Sequence, residues 1–178
     1  MSDTNTGSAG LDFERIVQEH YHVLYQFAMG LTRNETEASD LTQETFYLWG
    51  TKGHMLRDPS KVRSWLFTTL HRDFLKSRRR QNRFPEQELS AAESELPSVS
   101  PAMVDQMDSQ TVMDTLGRVD DSYRAALTLF YLEDFSYQQI AETLEIPIGT
   151  VMSRIARGRA QLQRMLLEAK PAQESQRG

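Results

Sequence analysis

Cysteine is absent from the chain, which removes disulfides, thiolate nucleophiles and cysteine-based zinc sites from consideration. Any redox sensing must then reside in a partner. No apolar run approaches the roughly 20 residues that a bilayer-spanning helix needs, and membrane insertion is not expected. The amino-terminal stretch MSDTNTGSAG has neither the basic flank nor the apolar core of a signal peptide, so the expected compartment is the cytoplasm. Histidine is scarce: His20, His22, His54 and His71 are the four, none spaced with acids as metal ligands, and no glycine-rich phosphate loop exists. These gaps argue against a metal-dependent nuclease or another enzyme. No catalytic residue, cofactor or metal site is expected.

What the 178 residues do contain is enough apolar side chain, 39%, for a packed core in one ordinary domain or two small ones. The net charge of -5 conceals a strong segregation. Lys61 to Arg83 holds eight basic residues against Asp73 alone, and Thr150 to Arg164 adds four arginines with no acid. Between them, Phe84 to Asp121 carries nine acids against Arg118. Two cationic patches separated by an acidic tether suggest two contacts with a polyanion.

Phe13, Ile16, Val17, His20, Leu24, Phe27, Ala28 and Leu31, all but His20 apolar, recur at helical spacing and predict an amphipathic helix from residue 12 to about 31, after a disordered leader over 1–10. A second helix follows through TRNETEASDLTQETFYLWG, with Leu41, Thr45 and Leu48 on its inner side and Asp40, Glu44 and Tyr47 aligned on an outer, acidic one. Asp58 can cap and Pro59 can open a third helix, in which Val62, Leu66, Leu70 and Phe74 form the buried stripe. Thr68, Arg72, Lys76 and Arg79 lie along its neighbouring face. Trp65 and Phe67 are expected in the core rather than stacked on bases. RRRQNR could be no more than a solvated helix end, where cations suit the dipole; Arg72 and Lys76, in mid-helix, are harder to explain that way.

From Phe84 the character changes to proline, serine and acids without apolar periodicity, predicting an extended linker over 84–108. Val112, Leu116 and Val119 suggest a further helix, and DDSYRAALTLFYLED another. In FSYQQIAETLEI, Ser136 and Gln139 form an S-x-x-Q capping box, and Phe135 can staple to Ile140. A helix from Tyr137 to Leu144, a break at EIPIG and a new helix from Thr150 make a helix-turn-helix, the motif whose second helix enters the major groove. On that second helix Val151, Ile155, Gly158, Leu162 and Met165 fall on one core stripe. Met152, Ser153, Ala156, Arg157 and Ala160 face the other way, with Arg154 and Arg159 on the flanks. Small residues around Arg157 let the backbone approach a groove, where arginine can read guanine and its neighbours can hold phosphates. The expected fold is therefore all-α: two small helical domains, 11–83 and 109–170, joined by a flexible acidic linker, with a disordered tail over 171–178.

FSYQQIAETLEIPIGTVMSRIARGRAQL resembles the carboxyl-terminal helix-turn-helix of the extracytoplasmic-function (ECF) group of bacterial sigma factors, in which S-Y-x-x-I-A-x-x-L, V/I-P-x-G-T-V and S-R-x-x-R-x-R patterns recur. DLTQETFYLW is similar to that family's polymerase-binding helix, and SWLFTTLHRDFLKSRRR to its helix for promoter melting and recognition of the minus-ten element. The resemblance implies a dissociable subunit of RNA polymerase, serving a stress or envelope response under the control of an anti-sigma factor. Asp40, Gln43, Glu44 and Tyr47 would meet the clamp helices of the largest polymerase subunit. Thr68, Arg72, Lys76 and Arg79 would face promoter DNA at the minus-ten element, with the 52–58 loop, including His54 and Arg57, holding a flipped base. Thr150, Met152, Ser153, Arg154, Ala156, Arg157 and Arg159 would address the minus-thirty-five element. Three residues depart from the family pattern: Glu145 stands where glycine is usual, Met152 where a base is frequent, and Arg72 where asparagine is frequent. A conventional helix-turn-helix regulator acting without polymerase is the alternative. It leaves Asp40 to Arg83 without a role.

Overall fold

The computed structural model describes residues 6–81 and 114–174, with side chains described over 13–80 and 114–165. The linker over 84–108, Val112 and the extreme termini lie outside the described residues. The chain divides into two units, Met1–Arg83 and Phe84–Gly178, and the described residues are helical, with no strand among them.

The first unit packs three helices, α1 (Thr6–Thr32), α2 (Glu35–Lys52) and α3 (Val62–Gln81). α1 starts at Thr6, within the stretch expected to be a leader. Once the amphipathic part from Phe13 is anchored, each added residue gains one backbone hydrogen bond, and the helix extends towards its amino terminus. The chain leaves α1 at Arg33 in the left-handed conformation (φ 55°), and Asn34 caps α2 by accepting from the Glu37 amide at 3.0 Å. Leu24, Phe27 and Ala28 of α1, Ala38 and Phe46 of α2, and Leu66, Phe67 and Leu70 of α3 make the core. Burying each of the leucines and phenylalanines contributes about 1.5–3 kcal/mol. The Phe27 and Phe67 rings meet at 5.2 Å, so Phe67 belongs to the core as expected.

The inner side of α2 differs from the expected stripe. Thr45 is buried as expected, but Leu41 and Leu48 are only half-buried, and the helix buries Ala38, Thr42 and Phe46 beside Thr45 instead. Thr42 and Thr45 can go inside because their hydroxyls donate to the carbonyls of Ala38 and Leu41, each at 2.8 Å. Between α2 and α3 run two short 3-10 turns, Gly53–Met55 and Pro59–Lys61. Asp58 caps the second, accepting from the Ser60 amide at 3.0 Å and the Ser60 hydroxyl at 2.7 Å. Those bonds hold the exposed Asp58 carboxyl below the usual carboxylate range.

In the second unit, residues 114–116 are helical, followed by α4 (Asp121–Tyr131), α5 (Tyr137–Leu144) and α6 (Ile148–Glu174). α4 is the central helix, burying every residue from Arg124 to Leu129. The capping box on α5 is formed in both directions: the Gln139 amide donates to Ser136 Oγ at 3.2 Å, and the Ser136 amide to Gln139 Oε1 at 2.8 Å. Phe135 and Ile140 are both buried, as a hydrophobic staple requires. α5 ends on Glu145 at φ 57°, ψ 42°, the left-handed conformation the turn demands, at a cost of about 1–2 kcal/mol for a residue with a Cβ. α6 begins at Ile148, two residues before the expected start, because the Pro147 carbonyl already accepts from the amides of Thr150 (2.9 Å) and Val151 (3.1 Å).

Val151, Ile155, Gly158 and Leu162 of α6 are buried, as the helical projection required, while Met165, on the same projected stripe, is half-buried. A Cβ on Gly158 would stand 2.5 Å from Leu127 Cδ1 and 3.0 Å from Tyr123 Cβ, so α4 and α6 approach at a distance only glycine tolerates. Gly158→Ala should therefore lower stability by about 1–3 kcal/mol through overpacking, an effect reduced by about 1 kcal/mol of gained helix propensity. Thermal unfolding of the full chain measures it. A raised midpoint would mean that the α4–α6 contact is looser than described.

Candidate polymerase and nucleic-acid interfaces

Three surfaces emerge, two on the first unit and one on the second. On α2, the burial of Ala38, Thr42, Thr45 and Phe46 turns Asp40, Gln43, Glu44 and Tyr47 outwards, and all four are exposed. Their spacing places them along one helix face. Tyr47 is 65% exposed, a large aromatic left in water beside two carboxylates. Such a face has the parts of a protein-binding surface, an aromatic anchor beside charges that set orientation.

On α3, burial of Leu66, Phe67 and Leu70 leaves Arg72, Lys76 and Arg79 exposed and Thr68 half-buried. The Lys76 ammonium pairs with Asp73 at 2.9 Å, and the Arg78 guanidinium lies 5.4 Å from the centre of the Phe74 ring. Trp65 is half-buried with its ring edge-on to Trp49 at 5.4 Å. The loop ahead of α3 leaves His54 and Arg57 exposed. It also walls a cleft of about 520 Å3 whose other sides come from Ile16, His20, Trp49 and Arg63. Gly53 is required there by close approach: a Cβ would lie 2.6 Å from the Trp49 ring. Burial lowers the pKa of His20; Glu19 opposes this and Arg63 reinforces it. Among the described residues no group of acids and histidines is arranged to hold a metal ion.

On α6, Met152, Ser153 and Ala156 are exposed, whereas Thr150, Arg154, Arg157 and Arg159 are half-buried. The outermost line of the helix thus runs through Met152, Ser153 and Ala156, with Arg157 towards one edge. Arg159 has a different setting from the flank the projection gave it. Its Nε donates to the Tyr131 hydroxyl at 2.8 Å, and its guanidinium lies 4.8 Å from the Phe130 ring centre, tying α6 to the end of α4.

Comparison with known proteins gives the family of the chain. Residues 16–84 match the family model of sigma-70 region 2, and residues 109–162 match that of sigma-70 region 4. The ECF RNA polymerase sigma factor SigE of Mycolicibacterium smegmatis is 32% identical over 176 residues, covering 90% of this chain and 68% of the relative. SigL of Mycobacterium tuberculosis is also 32% identical, over 79% of this chain and 80% of its own length. This chain belongs to the ECF RNA polymerase sigma factors. Among solved structures it is similar to the sigma factor RpoE of Bartonella quintana, crystallised with the anti-sigma factor NepR. That likeness has a TM-score of 0.67 at 26% identity, over 87% of this chain and 96% of that one. CnrH, solved in complex with the cytosolic domain of CnrY, gives a TM-score of 0.61 at 25% identity over 88% of each chain.

As a sigma factor the chain is a DNA-binding subunit that brings RNA polymerase to promoters, and its family is not one of enzymes. The regulator alternative fails because region 2 occupies the first unit. Sequence reasoning missed two features of this sigma factor. One is the cleft beside the 52–58 loop, whose walls come from three separate segments. The other is Arg124, 2% exposed at the centre of the second unit, donating to the carbonyls of Leu116 (3.2 Å) and Val119 (2.6 Å). No helix among the described residues is long and apolar enough to cross a membrane.

Proposed function

We propose that this sigma factor docks on the clamp helices of the largest polymerase subunit through Asp40, Gln43, Glu44 and Tyr47. Its cationic α3 face and the preceding loop then hold the minus-ten element. The observation that carries this reading is the pairing, on two helices packed against each other, of an acidic-aromatic exposed face on α2 and a cationic exposed face on α3. The acidic face repels nucleic acid and fits a basic protein surface; the cationic one fits phosphates. Arg72, Lys76 and Arg79 track the backbone of the unpaired strand, with Thr68 beside them, while His54 lines the cleft where an extruded base can sit and Arg57 stands exposed on the same loop. In the second unit Thr150, Met152, Ser153, Ala156 and Arg157 address the minus-thirty-five element, Arg154 contacts phosphate, and Arg159 acts from its place against Tyr131 by fixing the helix that carries them.

The chain works in the cytoplasm beside polymerase, has no catalytic residue of its own, and is held inactive by an anti-sigma factor until a stress or envelope signal releases it. The complex of RpoE with the anti-sigma factor NepR supports that last element. Arg72→Ala and Lys76→Ala should impair promoter opening more than closed-complex formation, because unpaired bases appear only after melting. Permanganate footprinting beside filter binding separates the two stages, and equal losses in both would reduce the α3 face to simple phosphate attraction. Arg157→Ala should weaken promoter binding by about 1–3 kcal/mol and relax preference at one base pair. A binding scan over single-base variants of the minus-thirty-five element reads it, and a uniform loss across all variants would move Arg157 from base reading to phosphate contact.

A further inference from the structure

Both large hydrophobic side chains that stand exposed among the described residues of the second unit lie on α6, four residues apart: Ile148 at 45% and Met152 at 52%. Ala156, also exposed, continues the line by another four. Three apolar positions at i, i+4 and i+8 form a rail along one helix face, about 12 Å long at 1.5 Å per residue. That length spans three to four base pairs. The rail starts in the first turn of the helix that follows the tight turn at Glu145, the part of a helix-turn-helix that meets base edges. Arginines 154 and 157 on the same helix supply the positive charge that an approach to phosphates needs.

We propose that this rail reads thymine, through the C5-methyl groups in the major groove of the minus-thirty-five element, and that Met152 is its main specificity-determining residue. This rests on the promoter-binding reading of α6. The chemistry is selective because the thymine methyl is the apolar group that base edges present in the major groove. A methionine or isoleucine pressed against donors and acceptors there leaves them dehydrated and unpaired, whereas against a methyl it buries apolar surface on both partners. The neighbouring Ser153 adds a restriction of opposite character. Its hydroxyl donates to the Thr150 carbonyl at 3.0 Å, so towards DNA it presents lone pairs and accepts from an amino group, such as adenine N6 or cytosine N4. An A·T-containing step, with a thymine methyl against Met152 and an amino group against Ser153, satisfies the two side chains together.

The test uses holoenzyme, this chain with core polymerase, on a promoter found by run-off transcription. Each thymine of the minus-thirty-five element, on either strand, is replaced singly by deoxyuridine, which deletes the methyl and leaves every hydrogen-bonding group in place. At one or two positions the replacement should weaken binding about fourfold, the weight of one methyl-sized group buried. That sensitivity should vanish in Met152→Ala or Ile148→Ala and persist in Arg157→Ala. The proposal is overturned if no thymine is sensitive, if the element holds no A·T pair, or if sensitivity survives in both apolar variants. It is also overturned if Met152→Ala weakens association with core polymerase in the absence of DNA, which would make the rail a protein-docking surface. Holoenzyme binding that ignores the minus-thirty-five sequence altogether would instead remove the promoter-binding reading of α6, and the rail's role with it.

Discussion

Arg124→Ala is expected to cost the second unit a large share of its stability. The side chain is 2% exposed, and it satisfies two backbone carbonyls, those of Leu116 and Val119, which close the turn leading into α4. Truncation takes from the Val119 carbonyl its side-chain donor, at about 1–3 kcal/mol, leaves the Leu116 carbonyl only the Val119 amide at 3.1 Å, and removes the packing of a long aliphatic stem. The ion pair to Asp121 at 2.6 Å adds little to this, since that carboxylate is 60% exposed and largely screened by water. Against the roughly 5–15 kcal/mol that holds an ordinary domain folded, the loss is severe. Arg124→Lys should fall between, because an ammonium lacks the fork that reaches two carbonyls at once. Urea unfolding followed by the signal of the second unit measures the effect, and an Arg124→Ala midpoint equal to that of the unaltered chain would show that water satisfies those carbonyls.

Reversing Asp40 and Glu44 together to lysine should weaken association with core polymerase by at least a hundredfold. Removing one partner of a desolvated interfacial charge pair costs about 2–5 kcal/mol, and reversal adds repulsion to that loss. The helix itself should be indifferent, since both residues are exposed on the face opposite Ala38, Thr42 and Thr45. Circular dichroism should therefore be unchanged while affinity in a DNA-free binding assay collapses. If the face were merely solvated, the double reversal would leave affinity intact.

The helix-turn-helix was legible because its determinants are local. The Ser136–Gln139 box, the Pro147 break and the small residue at Gly158 each act within a few residues or through an unmistakable packing need, and all appear where the pattern placed them. The left-handed Glu145 was suggested by the family resemblance alone, in which glycine is usual at that position. Local rules failed where a tertiary or hidden hydrogen bond changed a residue's character. Thr42 behaves as a small apolar residue only because its hydroxyl returns to the Ala38 carbonyl, and this rotates the buried stripe of α2, which keeps Thr45, away from Leu41 and Leu48. Arg159 looked like a flanking cation until Tyr131, 28 residues earlier, supplied a partner. Gln161 likewise reaches Asp120 at 2.6 Å across 41 residues. Arg124 carries a charge that sequence patterns assign to a surface, yet two carbonyls draw it inside. Of the site residues, the exposure of Asp40, Glu44 and Tyr47 and of Arg72, Lys76 and Arg79 followed from helical spacing, and Gln43 was added by the family resemblance; the cleft beside the loop could not, since its walls are assembled only by folding.

The most direct measurement of the central claim is run-off transcription from fragmented genomic DNA by core polymerase, with and without this chain. With it, discrete transcripts should arise from a limited set of start sites that share two spaced sequence elements. They should disappear when Asp40 and Glu44 are reversed. Transcription that is unchanged by the chain, or raised uniformly without defined start sites, would contradict the account.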